Sequence, residues 1–329
     1  MATVTEDMPE LMQAENGVTY VFDKKGKVKN VYLGPDNNQI LFEFTDHISV
    51  FDKVIPSTIP EKGASLCLGT TYWFNQVENA GICNTHYETL ITAEKMIAKK
   101  FPIIEKPTPE TDTYFIPAEF ICRHYAAGSL LDRIKDGRVK PKDVGLDHMP
   151  ENGEKLPQPY FEATTKFEKF DRPLSHKEMY EITGLTKKEF EHIEDTTLKI
   201  DDLIARKVEP NGLIHIDGKK EYAFDEGRTL TIVDSFGTGD EDRFVEKEPF
   251  ETDGTMIQKS KEYVRQYYRD TGYHDKLQAA RKAGTKEPEI PALPEEVRME
   301  TSKIYKSLFK QLTGQSLNSK TTELIWQQA

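Results

Sequence analysis

The chain has 329 residues, with 44 Lys and Arg against 56 Asp and Glu and a net charge of −12. At about 150 residues per domain it holds one large or two modest domains with room for a sizeable core; 37% hydrophobic and 30% charged residues, with only 20 Gly and 18 Pro, exclude disordered, collagen-like and low-complexity classes. So acidic a chain is a poor general binder of nucleic acid or anionic membrane, although a local basic pocket is compatible with it.

The first residues, MATVTEDMPELMQAENG, are acidic and lack the apolar core of a signal peptide, and no run approaches the roughly 18 apolar residues of a membrane span. Cys67, Cys83 and Cys122 are scattered and form no CxxC pair, which points to reduced thiols and a cytoplasmic protein with no thiolate zinc site. No internal repeat is present.

Residues 19–44 read as β-structure, with a turn cluster at Gly34-Pro35-Asp36-Asn37-Asn38. Residues 64–79 read as a helix. The polar, proline-bearing stretch Lys106 to Asp112 is the expected joint between a smaller N-terminal lobe (15–110) and a larger C-terminal one (111–329). A strand is predicted over Tyr114 to Cys122 and a polar loop over Asp143 to Pro159. Ser175-x-x-Glu178 and Thr186-x-x-Glu189 fit capping boxes that start two helices; in the second, Phe190, Ile193, Thr197, Ile200 and Ile204 share a core face. Leu213 to Phe224 and Thr229 to Val233 read as strands, with Asp217-Gly218 a type I′ hairpin signal and Glu226-Gly227 a second candidate turn. Two helices are predicted to close the chain, one from about Gln258 to Asp270 and one after Pro294, stopped by Gly314. Strands, turns and late helices argue for an α+β protein in two lobes. GxGxxG after a strand, GxxxxGK[ST], HExxH and GxSxG are all absent.

Five segments set polar residues beside apolar strands. In Lys25-Gly26-Lys27-Val28-Lys29, alternation places Lys27 and Lys29 on one face, suited either to phosphate oxygens or to guarding an exposed sheet edge. Thr45 to Asp52 is a polar run that reads as turn and capping chemistry or as a site. In Glu119 to Ser129, Glu119 and Arg123 share a strand face and need partners, either each other or a ligand, with Gly128-Ser129 offering donors to an anion. Asp217, Lys219 and Glu221 share a face if their strand is continuous; the other reading is the outer face of a hairpin. Asp234, ending an apolar strand before a glycine loop, is placed either to hold Mg2+ on a nucleotide or to form an acidic surface loop.

Taken in order, these segments resemble the SAICAR synthetase (phosphoribosylaminoimidazole-succinocarboxamide synthase) family. GKVKNVY looks like the family's GK-x-K-[DE]-[VL]-Y opening, TDHISVFD is similar to TDR-I-SAFD, and IPEKGASL to IP-x-KG. PAEFICRHYAAGS matches the strand ending in R-x-Y-x-x-GS, and TTKFEKFDRPLS resembles STK…D-x-x-[LI]-S. DGKKEYAF and IVDSFGTGDEDRF resemble DTKFEFG and LxDEVxTPDSSRF, and the helices around YVRQYY and after Pro294 resemble the family's last two. The resemblance runs from about residue 17 to 314.

It implies a two-lobed α+β fold of antiparallel sheets and helices with ATP in the cleft between lobes. The implied enzyme is an ATP-dependent carboxylate–amine ligase of purine biosynthesis. It phosphorylates the carboxylate of CAIR and joins it to L-aspartate through an acyl phosphate. By carry-over, Gly26, Lys27 and Lys29 approach the ATP phosphates, and Phe115 to Glu119 line the nucleotide. Glu221 holds its ribose, Lys219 lies by the phosphates, and Asp234 binds Mg2+. Arg123, Ser129 and Arg243 hold the ribotide, while Asp217, Lys166 and Asp171 match further substrate positions. The family is usually dimeric or larger, which implies a homo-oligomer. The sequence departs from the family at His47, His124, Gly218, Lys220, Ser235, Glu241 and Asp242. Glu241 and Asp242 stand where two serines flank the phosphate-binding arginine. Carboxylates there would repel a ribotide phosphate unless they point elsewhere. A related ligase with another acceptor, or a non-catalytic nucleotide-binding relative, are the competing readings.

Overall fold

The computed structural model describes residues 11–13, 17–168, 172–259 and 261–317. Strands β1 (Leu11–Gln13), β2 (Thr19–Lys25), β3 (Lys29–Leu33) and β4 (Gln39–Phe44) form an antiparallel meander. Its β3–β4 turn is the predicted Gly34–Asn38 cluster, with the Gly34 amide donating to the Gln39 carbonyl at 3.0 Å. The hairpin β5 (His47–Val50) and β6 (Lys53–Thr58) leads into helix α1 (Lys62–Asn79). There follow β7 (Asn84–Thr85), β8 (Tyr87–Thr92) and β9 (Lys95–Lys99). The first sheet has the order β1-β2-β3-β4-β9-β8. Period-2 alternation gives it two apolar faces: Tyr20, Tyr32, Leu41 and Ile97 on one, Phe42, Phe44 and Met96 toward the main core on the other.

The rest of the chain builds β10 (Tyr114–Phe115), β11 (Ala118–Ala126), α2 (Gly128–Lys135) and β12 (Glu154–Thr165). After these come α3 (His176–Thr183), α4 (Lys187–Val208), β13 (Leu213–Asp225), β14 (Thr229–Val233) and β15 (Asp242–Glu246). It ends with α5 (Lys247–Asp253), α6 (Glu262–Asp270), α7 (Tyr273–Ala283) and α8 (Glu295–Thr313). The second sheet runs β12-β11-β13-β14-β7, with β10 and β15 also pairing to β13. Both capping boxes form as predicted, and the α4 stripe is buried against this sheet. The main core runs from Phe42 and Phe44 through α1 and the sheet residues Phe120 and Tyr222 to Leu308 and Phe309 of α8.

Several sequence expectations change. Asp217-Gly218 is no hairpin: β13 runs straight through it for 13 residues, and the chain reverses at Glu226–Arg228, where Gly227 takes φ 66°. Pairing overrides the turn signal, because Gly218 is matched to Cys122 on one side and Asp242 on the other. The expected strand 114–122 is split at Pro117, which has no amide to donate, and then continues to Ala126. The loop at 143–159 is partly structured. Val144 and Leu146 pack with Leu130 and Ile134, and from Glu154 the chain is strand β12. The helix expected from Gln258 begins at Glu262, because Gln258 pairs with Val245. α7 was not foreseen. β3 lies between β2 and β4, so it is not an edge, and Lys27 sits in the turn before it.

Candidate active site

Strands β11, β13 and β15 lie side by side, and alternation sends one set of polar residues from each to the same face. The register aligns Arg123 with Asp217 and Asp217 with Arg243, so one carboxylate stands between two guanidiniums. Asp217 accepts from Arg123 Nη1 at 3.0 Å and from Arg243 Nε at 3.0 Å. Arg123 also reaches Glu162 at 2.9 Å and Ser129 Oγ at 3.3 Å. The Glu119–Arg123 pair foreseen as one alternative does not form. Gly128 starts α2 at φ 53°, and a Cβ there would lie 1.8 Å from Arg243 Nη1. Glycine therefore lets Arg243 lie across the start of α2, beside Ser129. The recess in front of these groups is also lined by Lys219, Glu241, Lys261 and Arg265. Lys261 and Arg265 escaped the residue-level reading, although the YVRQYY match lies over Arg265.

One residue along the same face, Lys219 sits among three carboxylates: Glu221 at 2.5 Å, Glu119 at 3.0 Å and Glu241 at 3.2 Å. Lys166, from the end of the β12 segment, contacts Glu221 at 2.6 Å, Glu119 at 3.5 Å and Asp234 at 3.9 Å. Lys29, packed over the rings of Phe42 and Phe44, donates to Asp234 and, at 3.2 Å, to Ser235 Oγ. Asp234 follows β14 in the left-handed region at φ 58°, a conformation uncommon for a residue other than glycine but more accessible to Asp than to most. Burial alone would raise its pKa, but Lys29, Lys166 and Lys219 outweigh that and hold it far below the usual carboxylate range. Lys219 is correspondingly raised: burial disfavours its charge, and the Glu221, Glu241 and Glu119 carboxylates restore it.

These charges border a cavity of about 450 Å³. Val31, Ile40, Phe42, Phe101, Phe115 and Phe167 give it apolar walls; Gly26, Lys27, Lys29, Lys166, Glu221 and Asp234 give it a polar side. Gly26 makes the tight turn, its amide donating to the Lys29 carbonyl at 2.7 Å, where a Cβ would collide with that oxygen. Lys27 is exposed and pairs with Asp52 at 3.1 Å, so it joins Lys29 at the cavity but not on one strand face. His86 also lines the cavity. Burial pushes its pKa down to about 4, and its Nε2 has no partner. Asp171 lies outside the described residues.

The Thr45–Asp52 segment serves structure at its first acidic residue: Asp46 Oδ1 accepts from the Gly63 amide at 2.9 Å in the first turn of α1. The loop between Asp234 and Asp242 is pinned at two places. Trp73 Nε1 donates to the Gly237 carbonyl at 2.8 Å, and Asp240 accepts from buried Lys62 at 2.9 Å and Tyr305 at 2.5 Å. Glu241 turns toward Lys219 and Asp242 behind the sheet. Asp242 is therefore engaged away from Arg243, while Glu241 stays at the rim of the recess with its charge paired to Lys219.

Glu119 is pushed up to about 7, mainly by burial, with Glu221 adding to the rise and Lys219 and Lys166 opposing it. A carboxyl whose folded pKa lies above its unfolded one stabilises the fold below the unfolded value and loses that contribution as pH rises through the folded value. His86 works oppositely, because a lowered folded pKa makes stability rise with pH up to its unfolded value. The clean observable is therefore a difference. Stability of the wild type minus that of Glu119→Gln, from urea titrations of the ligand-free protein, is expected to fall between about pH 4.5 and pH 7 and level off above. A difference flat over that window contradicts a proton on Glu119.

The SAICAR synthetase family model matches residues 23–280. A phosphoribosylaminoimidazole-succinocarboxamide synthase of Thermoplasma acidophilum is 50% identical over 291 residues, covering 88% of this chain and 98% of the relative. That of Thermoplasma volcanium is 49% identical over 290 residues, covering 88% and 97%. Among solved structures, SAICAR synthase from Saccharomyces cerevisiae complexed with SAICAR aligns with a TM-score of 0.69 at 21% identity, covering 97% of this chain and 99% of that one. A type-2 SAICAR synthetase in complex with ADP aligns at 0.64 and 20% identity, covering 90% and 99%. At these identities the structural likeness establishes the α+β fold.

Proposed function

The chain belongs to the SAICAR synthetase family and is the ligase that joins L-aspartate to CAIR with ATP in purine biosynthesis; from that premise we propose how its residues divide the work. ATP occupies the 450 Å³ cavity, its base among the apolar walls near Phe115 and its phosphates toward Gly26, Lys27, Lys29, Lys166 and Lys219. The ribotide takes the recess, its phosphate held by Arg123, Ser129 and Arg243, with Lys261 and Arg265 adding positive charge. Asp217, buried between the two arginines, orients them. Glu221 is assigned to the phosphate end of ATP in place of the ribose, because its carboxylate is buried between Lys166 and Lys219.

The carboxylate oxygens of Asp234 and Glu221 are hard donors of the kind that fits Mg2+. Asp234 would hold it with Glu221 nearby, and the ion would neutralise charge on the transferring phosphoryl group. The observation that carries the scheme is that Glu241 lines both the cavity and the recess. A γ-phosphate on one side and a carboxylate on the other therefore meet beside Lys219. The CAIR carboxylate oxygen attacks the γ-phosphorus and ADP leaves. The amine of aspartate then attacks the acyl carbon, loses a proton, and phosphate departs. Lys29, Lys166 and Lys219 oppose the charge that builds on the phosphoryl oxygens, the main need of such a transfer.

The test is ADP release by the purified protein with Mg2+, ATP, CAIR and L-aspartate, each omitted in turn. ADP is expected at a steady rate only with all present. ATP binding without ADP formation in the full mixture would overturn the acceptor assignment.

A further inference from the structure

The face opposite the recess carries charge of its own. Alternation sends Asp242 behind the sheet while Arg243 faces the recess, and a bulge between His215 and Asp217 brings His215 to the Asp242 side. There Asp242 Oδ2 accepts from His215 Nε2 at 2.7 Å and from Lys220 Nζ at 3.1 Å, while Oδ1 accepts from the Gly237 amide at 2.9 Å. Lys220 also donates to Asp201 of α4, whose other oxygen lies 3.2 Å from His124 Nε2. The side chains of Asp201, His215, Lys220 and Asp242 are fully buried. A Cβ on Gly218 would stand 2.0 Å from Asp242 Oδ2 and 2.4 Å from Lys220 Nζ, so this ion pair requires glycine at 218. Gly218, Lys220, Asp242 and His124 are four of the positions at which the sequence differs from the motifs it otherwise resembles, and they meet in one place.

We propose that Asp242 is a positioning residue for ribotide binding: pegged from behind by Lys220 and His215, it sets the place of Arg243 in the recess. A charge held by several partners in a dry interior cannot shift sideways without losing them, which makes the cluster a rigid anchor. The inference rests on the reading of Arg243 as a ribotide residue.

The test is steady-state kinetics of Asp242→Asn, Arg243→Ala and their double variant, with melting temperatures. Asp242→Asn is expected to raise the KM for CAIR about tenfold and to leave the KM for ATP within about twofold. Adding it to Arg243→Ala is expected to raise the KM for CAIR no further than Arg243→Ala alone. Gly218→Ala keeps every charged group but displaces Asp242, so it is expected to raise the same KM if Asp242→Asn does not fold. A lowered melting temperature with an unchanged KM for CAIR would make the cluster purely structural and overturn the inference. An additive double variant would overturn it too, since Asp242 would then act independently of Arg243. If Arg243→Ala itself leaves the KM for CAIR unchanged, the ribotide reading has failed and the inference falls with it; that single variant identifies this case.

Discussion

Asp234→Asn is expected to lower ATP-dependent turnover about a thousandfold or more while shifting the melting temperature by only about a few degrees. The large effect follows from position. Asp234 is the carboxylate on which Lys29, Lys166 and Lys219 act together, and it lines the 450 Å³ cavity proposed for ATP. Asparagine keeps nearly the same shape and can accept the Ser235 amide bond that Asp234 accepts at 2.8 Å. It also tolerates the left-handed backbone at this position better than most residues do. What it removes is the negative charge, and with it the strongest oxygen ligand for a divalent cation. ADP release measures the turnover. Calorimetric titration of ATP with and without Mg2+ shows where the loss lies, since the variant should lose the magnesium dependence of binding. Turnover near the wild-type rate would remove Asp234 from the chemistry.

Lys62→Met is expected to cost about 3–5 kcal/mol of stability, the usual consequence of leaving a buried charge without its partner. Lys62 is fully buried, 2.9 Å from Asp240, which is itself 3% exposed. Burial would raise the Asp240 carboxyl; Lys261, then Lys62, reverse this, with Tyr305 donating a hydrogen bond, and hold it well below its ordinary range. Methionine fills much of the lysine's volume, so the loss is chiefly electrostatic. Lys261, 3.6 Å away, offsets part of it. Urea denaturation of Lys62→Met, Asp240→Asn and the double variant closes a cycle in which the double variant should be more stable than Lys62→Met. A loss under about 1 kcal/mol from Lys62→Met would mean that Lys261 alone satisfies Asp240. Asp240 lies on the loop between Asp234 and Arg243, so the single variant should also slow turnover.

Local rules were legible where a short segment settles its own structure. The capping boxes at Ser175 and Thr186 formed because each requires only four consecutive residues, and the α4 stripe was buried because its spacing matches one helix face. The Gly34–Asn38 turn formed for the same reason. Asp217-Gly218 misled because a type I′ signal is weaker than strand pairing on both sides, and the partners, Cys122 and Asp242, are far away in sequence. Lys62 lies in the IPEKGASL match without any sign that it is buried. Lys261, just before α6, and Arg265 within it lie in a segment whose other residues give no hint of a recess.

The family and the chemical types at the site were set by the sequence alone, because ordered motifs carry Lys29, Lys166, Lys219, Glu221, Asp234 and Arg243 at positions no propensity rule would place by chance. Which carboxylate meets which cation was decided only by the tertiary structure. Glu241 and Asp242 are adjacent in sequence and equally charged, yet one turns to Lys219 at the site and the other to Lys220 and His215 behind the sheet. The reason is geometric: strand alternation separates neighbours onto opposite faces, and the electrostatic meaning of a side chain is set by the groups that pairing across strands brings to its face.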